Sequence, residues 1–311
     1  MNTNTNYTYE TEIPDALLAD LPEEARDQEN INRVSFTYWQ TCWKRMKKDK
    51  LAMFGIVVII AMAILAVFGP MLCPYSYDDA DFMAILQGPS LKHWFGTDGL
   101  GRDVFVRTLY GARISLTIGF VAAIVNMVIG VLYGGIAGYL GGWVDLIMMR
   151  IVDILSGIPS LIYLILIMMF LGSSVQSILL AMCLTYWITT ARMVRGQIFT
   201  LREQDYALAA KVCGQTKWQI LIHHLIPNSM GSIIVTMTFL IPSAIFEEAF
   251  LSFLGIGIQV PKASWGTMCN DAIQYLTQQP WLMIFPALAI SITIFPEFYR
   301  RRTERCAGSS N

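Results

Sequence analysis

Few side chains in this sequence could do covalent chemistry, and none is spaced for it. His223 and His224 are adjacent, so on a helix they point about 100° apart and make no chelating pair. The six cysteines, Cys42, Cys73, Cys183, Cys213, Cys269 and Cys306, show neither C-x-x-C nor metal spacing and read as small apolar filler. The sequence holds no G-x-x-x-x-G-K-[ST], no H-E-x-x-H and no G-x-S-x-G. No catalytic residue and no metal site are therefore assigned. Charged residues inside apolar runs carry more information. Glu247 and Glu248 stand in one such run, Asp145, Arg150 and Asp153 in another, and Asn126 lies near the middle of a third. Charge at membrane depth is costly enough that a functional role is the first hypothesis. Glu247, Glu248 and Asn126 are thus candidates for lining or gating a pathway. The spacing also allows Arg107 or Arg113 to pair with the two glutamates, and Arg150 to pair with Asp153 three residues on.

The elements that must position these residues follow from composition. Of 311 residues, 55% are hydrophobic and only 14% charged, and the mean hydropathy is +0.50. Soluble domains carry about a quarter charged residues, so the chain falls in the membrane class. A net charge of −1 gives no polycation for nucleic acid. Residues 1–40 hold eight acidic side chains (Glu10, Glu12, Asp15, Asp20, Glu23, Glu24, Asp27 and Glu29) and no apolar core of a signal peptide. They read as a cytoplasmic tail, 1–45, with an amphipathic stretch at 36–43.

Crossing about 30 Å of hydrocarbon takes around 20 helical residues. Six runs qualify, at about 51–72, 112–139, 143–171, 175–191, 229–255 and 281–298. Lys44, Arg45, Lys47, Lys48 and Lys50 precede the first and fix its start inside. Six spans then leave both termini in the cytoplasm. Only Lys92, Arg102, Arg107, Arg113 and Lys262, of 22 Lys and Arg, fall outside. Residues 73–111 and 256–280 are external, Pro242 breaks the fifth span, and Cys73 and Cys269 share the outer side. No internal repeat of 20–50 residues is present.

The cytoplasmic stretch YALAAKVCGQTKWQILIHHLIPN, 206–228, has its own pattern. Residues 203–213 favour helix around Ala207, Leu208, Ala209 and Ala210. Gly214 suits a left-handed cap, Thr216 can cap a second helix over 217–226, and Pro227 ends it. Small side chains at 207, 209 and 210 would let a partner groove come close to the backbone. The same pattern fits an interfacial helix lying on the membrane, and pattern alone does not separate the two.

This stretch resembles the E-A-A-x(3)-G-x(9)-I-x-L-P signature of importer-type ABC transporter permeases. Ala209, Ala210, Gly214 and Pro227 match, while Leu208 stands for the Glu, and His224 and Ile226 for the Ile and Leu. HWFGTDGLGRDVFVRTLYGARISLTIG at 93–119, EAFLSFLGIG at 248–257 and ASWG at 263–266 are similar to blocks of the C-type permease of peptide and nickel importers. These blocks place Gly96, Asp98, Gly101, Arg102, Asp103, Arg107, Trp265 and Gly266 in an external motif, in which Asp98, Arg102 and Asp103 are read as bracing the loop. The resemblance runs from about residue 36 to 294. It stops there, because relatives finish with G-D-x-L-R-D-x-L-D-P and this chain reads FPEFYRRRTERCAGSSN, a divergent tail or a shifted frame over 295–311.

The resemblance implies an all-α membrane protein with six transmembrane helices. These comprise a MetI-like type I permease core at 112–299, a first span at 46–72 ahead of it, and a tail at 300–311. It implies a prokaryotic cell membrane location and several partners: a homologous B-type permease, two ATPase subunits, an extracytoplasmic binding protein and membrane lipid. ATP and Mg would be bound by the ATPases and not by this chain. Tyr206, Ala207, Leu208, Ala209, Ala210, Gly214 and Pro227 would form the coupling helix and turn, at about 203–214. Cargo would be peptide, with nickel, opines or sugars as alternatives within the family. A secondary transporter or channel would be expected to show inverted repeats, and an intramembrane hydrolase would need a nucleophile and base.

Overall fold

The computed structural model describes residues 50–259 and 261–308, within one compact unit, Met46–Asn311. The tail read at 1–45, including the amphipathic stretch at 36–43, lies outside the described residues. Among those described, the fold is entirely helical apart from one isolated bridge between Thr97 and Asp103.

Helix α1 spans Lys50–Leu72. A mostly irregular segment leads to α2, Val104–Leu140, the central helix of the bundle. Next come α3 (Gly142–Ser156), α4 (Ser160–Leu171), α5 (Val175–Thr185) and α6 (Trp187–Leu201). On the far side lie α7 (Asp205–Val212) and α8 (Lys217–Ile220), followed by a π turn, Leu221–Leu225. The chain returns through α9 (Ile226–Phe253), folds α10 (Trp265–Ala272) and ends in α11 (Trp281–Gly308).

Among the described residues, three helices are long and apolar enough to cross a membrane: Val104–Leu140, Val175–Leu201 and Lys217–Phe253. The pair α3 and α4 passes the same test but is bent by 78° where Gly157 and Pro159 interrupt it. Val57–Leu72 and Trp281–Ile294 are shorter apolar helices.

Local chemistry sets several boundaries that the hydropathy runs misplace. The Asp103 carboxylate accepts the Val106 N–H at 2.9 Å, so α2 begins at Val104 and not near 112. Its other end is stopped by Gly141 and Gly142, both at positive φ. The fourth run extends to Leu201, with Tyr186 as the joint between α5 and α6. Pro242 does not break α9; it is buried inside a continuous helix, whose loss of one N–H is tolerated where neighbours pack tightly. The expected Arg150–Asp153 pair does not form. Asp153 takes Arg192 at 2.9 Å instead, and Asp145 receives both Nε and Nη2 of Arg195. The i, i+3 spacing was not decisive because α6 packs alongside α3 and its arginines reach across.

Close approach of backbones holds the bundle together. Gly130, Gly134 and Gly138 line one face of α2 against Thr190, Ala191 and Arg195 of α6. A Cβ on Gly138 would stand 2.7 Å from the Arg195 carbonyl, and one on Gly134 would overlap the Ala191 carbonyl. Without a hydrophobic driving force between helices in lipid, such small-residue seams are how backbones pack. A larger apolar cluster (Ile118, Ala122, Leu164, Met168, Ile178, Met182 and Leu251) joins α2 to α4, α5 and α9. Ala66 of α1 and Ala289 of α11 close over Trp265.

Candidate functional site

Two polar assemblies stand at opposite ends of α2. The first is the turn after α6. Arg202 donates to the Gly138 carbonyl at 3.0 Å and lies over the Phe199 ring, tying the exit of α6 to the end of α2. Helix α7 then ends in two bonds, Gly214 N–H to Lys211 O at 3.1 Å and Gln215 N–H to Ala210 O at 3.2 Å, with Gly214 at φ +81°. That is a Schellman cap, and nothing lies within 4 Å of where a Gly214 Cβ would stand. Thr216 and Gln219 cap α8 reciprocally, and His224 bonds Gln215 at 2.8 Å across the turn.

The faces of α7 differ from those the small residues suggested. Ala207 and Ala210 point inward and pack with Val194, Ile198, Leu221 and Leu225. Their size serves the protein's own core, since i and i+3 share a face. Ala209 is outward, together with Leu208 (50% exposed), Val212 (88%) and, on α8, Trp218 (56%). Tyr206 is also exposed. Pro227 ends no helix. It sits in the first turn of α9, where its missing N–H is least needed, just after the π turn widens the coil. The Asn228 side chain donates to the His224 carbonyl at 2.7 Å there. The expected helix 217–226 is therefore the start of the long span Lys217–Phe253.

The second assembly, at the Val104 end of α2, gathers the separate motif blocks. Asp98 accepts the N–H groups of Leu100 and Arg102 on one oxygen, and on the other faces Arg102 Nε at 2.7 Å and Arg107 Nε at 3.4 Å. Arg107, 1% exposed, also donates to the Tyr77 carbonyl at 3.2 Å. Asp271 approaches Arg102 at 3.8 Å and Arg107 at 3.9 Å. Burial raises the Asp271 carboxyl above its ordinary range, although both arginines pull it down. The groups border a cavity of about 240 Å³, lined also by Tyr275, Gln274 and Met268. Asp103 divides its oxygens between the α2 cap and His93 Nδ1, 2.8 Å away. Gly96 and Gly101 are both at φ +77°, and a Cβ on Gly101 would overlap the Asp81 carbonyl. Trp265 is fully buried and donates to the Thr108 carbonyl at 3.0 Å, and Gly266 lets α10 lie on the backbone of α9 at Ala249.

The intramembrane candidates separate. Glu248 is 0% exposed and accepts Ser115 Oγ at 2.7 Å and Ser252 Oγ at 2.9 Å. It joins α2 to α9 through hydroxyls, and not through Arg107 or Arg113. Arg107 is taken up by Asp98 and Asp271 instead. Glu247 is only partly buried and has Tyr186 within electrostatic reach. Asn126 is buried, donating to the Ala122 carbonyl at 2.7 Å while its Oδ1 finds no partner.

Residues 130–298 match the family described as Binding-protein-dependent transport system inner membrane component. The chain belongs to that family. Residues 37–89 of this inner membrane component match a second description, N-terminal TM domain of oligopeptide transport permease C. It is 46% identical over 283 residues to the Oligopeptide transport system permease protein OppC of Bacillus subtilis (strain 168), covering 91% of this chain and 93% of that one. Identity to the Dipeptide transport system permease protein DppC of the same organism is 46% over 285 residues, 91% of this chain and 89% of the relative. The Oligopeptide transport system permease protein OppC of Escherichia coli (strain K12) is 39% identical over 259 residues, 83% and 86% of the two chains. The resemblance to C-type permeases drawn from the motif blocks therefore holds, and the chain is a multi-pass membrane protein.

Some residues of these assemblies were missed in the sequence. Asp271 and Tyr77 complete the arginine cluster from outside the motif blocks, with no local signal. Val212 and Trp218 could have been found as large apolar residues in an otherwise polar stretch.

Proposed function

We propose that this permease forms half of the translocation pathway of an ATP-driven importer of oligopeptides or dipeptides. Its partners are a homologous B-type permease, two ATPase subunits that bind ATP and Mg, and an extracytoplasmic binding protein that delivers cargo. Six crossings are taken as α1, α2, the bent α3–α4 pair, α5–α6, α8–α9 and α11, with both termini cytoplasmic. The relatives named above, which carry oligopeptide and dipeptide transport in their names, support the cargo class.

The observation that carries the coupling role is the outward face of α7 and α8. Leu208, Val212 and Trp218 expose apolar surface on a short, doubly capped segment between two crossing helices. Exposed apolar groups gathered on a rigid platform mark a protein contact. Movement of ATPases seated there would pass through Arg202 and the glycine seam into α2. The test is Ala209→Glu, an outward substitution that leaves the core of α7 untouched. The expected outcome is normal membrane level with loss of peptide uptake and of ATPase co-purification. Normal uptake with the bulky acid in place would sink the docking role.

A further inference from the structure

Helix α9 carries a second pattern that none of the motif blocks explains. Ser232, Thr236, Leu240, Ser243 and Glu247 recur at intervals of three and four, so they share an arc of about 80° on the helix. All five are partly exposed. They lie between the buried face, which holds Ile233, Ala244 and Glu248, and the open apolar face, which holds Val235 and Phe246. Ser232 and Thr236 satisfy their own hydroxyls on the carbonyls of Ser229 and Ser232, both at 3.0 Å, so neither is used to hold another helix. At the outer end, Glu247 forms no ion pair with any described residue, and its Oε2 is buried without a hydrogen-bond partner. Tyr186, at the joint of α5 and α6, brings its buried hydroxyl into reach of that carboxylate, and no other described group bonds it.

A carboxylate with one hydroxyl beside it and no cation cannot face acyl chains without a large penalty. Its complement is a cation, and the described part of the chain provides none there. We infer that the stripe from Ser232 to Glu247 lines the water-filled route through the assembled transporter, and that Glu247, beside Tyr186, receives the ammonium groups of passing cargo. The inference rests on the permease reading and names what its pathway wall selects. Hydroxyls along the stripe offer weak, exchangeable bonds to peptide groups, while the single carboxylate near the outer end favours amines over acids at entry.

Two measurements on the complete transporter separate this from its foundation. In membrane vesicles, Thr236→Cys and Ser243→Cys are treated with thiosulfonate reagents bearing a trimethylammonium or a sulfonate head, and labelling is scored above the wild-type background. Both positions should react, and the cationic reagent should be preferred about tenfold at 243, a preference lost on adding Glu247→Gln. No labelling at either position places the stripe against lipid or protein and overturns the inference. Labelling without charge preference overturns the role of Glu247. In transport, Glu247→Gln should lower uptake of Ala-Lys-Ala about tenfold relative to Ala-Glu-Ala, with Glu247→Asp retaining the preference. Equal loss on both peptides, or none, overturns the ammonium site. If the wild-type complex imports neither peptide, the cargo reading fails, while the labelling result still decides the stripe.

Discussion

The Asp98 cluster and the turn around Gly214, at opposite ends of α2, are built on opposite plans. At the Asp98 end, the strong polar groups described above are answered within the chain: Asp98 by two arginines, Asp103 by His93 and a helix N-terminus, Trp265 by a carbonyl, as Glu248 is by two serines deeper in the bundle. Glycines there are pressed against carbonyls. At the other end, Gly214 has open space around it and the apolar side chains of α7 and α8 face outward. The first region is closed upon itself, and the second is the one proposed above to dock a partner. Stability and function should therefore dissociate along α2, with lesions in the first removing the protein and lesions in the second removing its activity.

The largest effect is expected at Arg107. Its replacement by Ala takes one of two arginines from Asp98 and the donor from the Tyr77 carbonyl, and empties the space of a fully buried side chain, a combined loss of roughly 3–5 kcal/mol. The membrane level of the protein should collapse, as read by immunoblot of washed membranes. Glu248→Ala orphans two buried hydroxyls and should cost about 1–3 kcal/mol, seen as a lower melting temperature of the detergent-purified complex. Glu248→Gln keeps an acceptor and should melt close to wild type. That contrast tests whether the carboxyl works as a hydrogen-bonding staple and not as a charge. At Gly214, Ala meets no neighbour, only the left-handed backbone, so about 1–2 kcal/mol is expected, confined to the turn. The smallest effect is chemical. Cys213 is exposed, whereas burial pushes the Cys269 thiol up to about 11. At pH 7.5 a maleimide should modify Cys213 and spare Cys269, and added ATPase subunits should protect Cys213.

Much of the architecture is legible because its signals are local. The Thr216–Gln219 capping box, the Gly214 cap and the run of apolar residues in α9 each sit within a few positions of what they determine. Local reading failed where partners come from far along the chain. Ser115 answers Glu248 across 133 residues, and Arg192 answers Asp153 across 39, so neighbouring charges offered the wrong mates. Alanine is silent about direction, which is why the inward face at 207 and 210 was read as the docking face. Pro227 misled for a different reason: a proline that stops one helix and a proline that opens the next look the same until the π turn before it is seen.

The glycine seam between α2 and α6 has a genetic consequence. Glycine has the smallest side chain of the twenty, so every missense change at Gly134 or Gly138 adds at least a methyl group where a carbonyl already stands. Such a contact has no conservative replacements and cannot be tuned by small steps. Variation should therefore accumulate on the lipid-facing sides of both helices while this one line of contact stays fixed, and compensation for its loss would have to come from moving an entire helix.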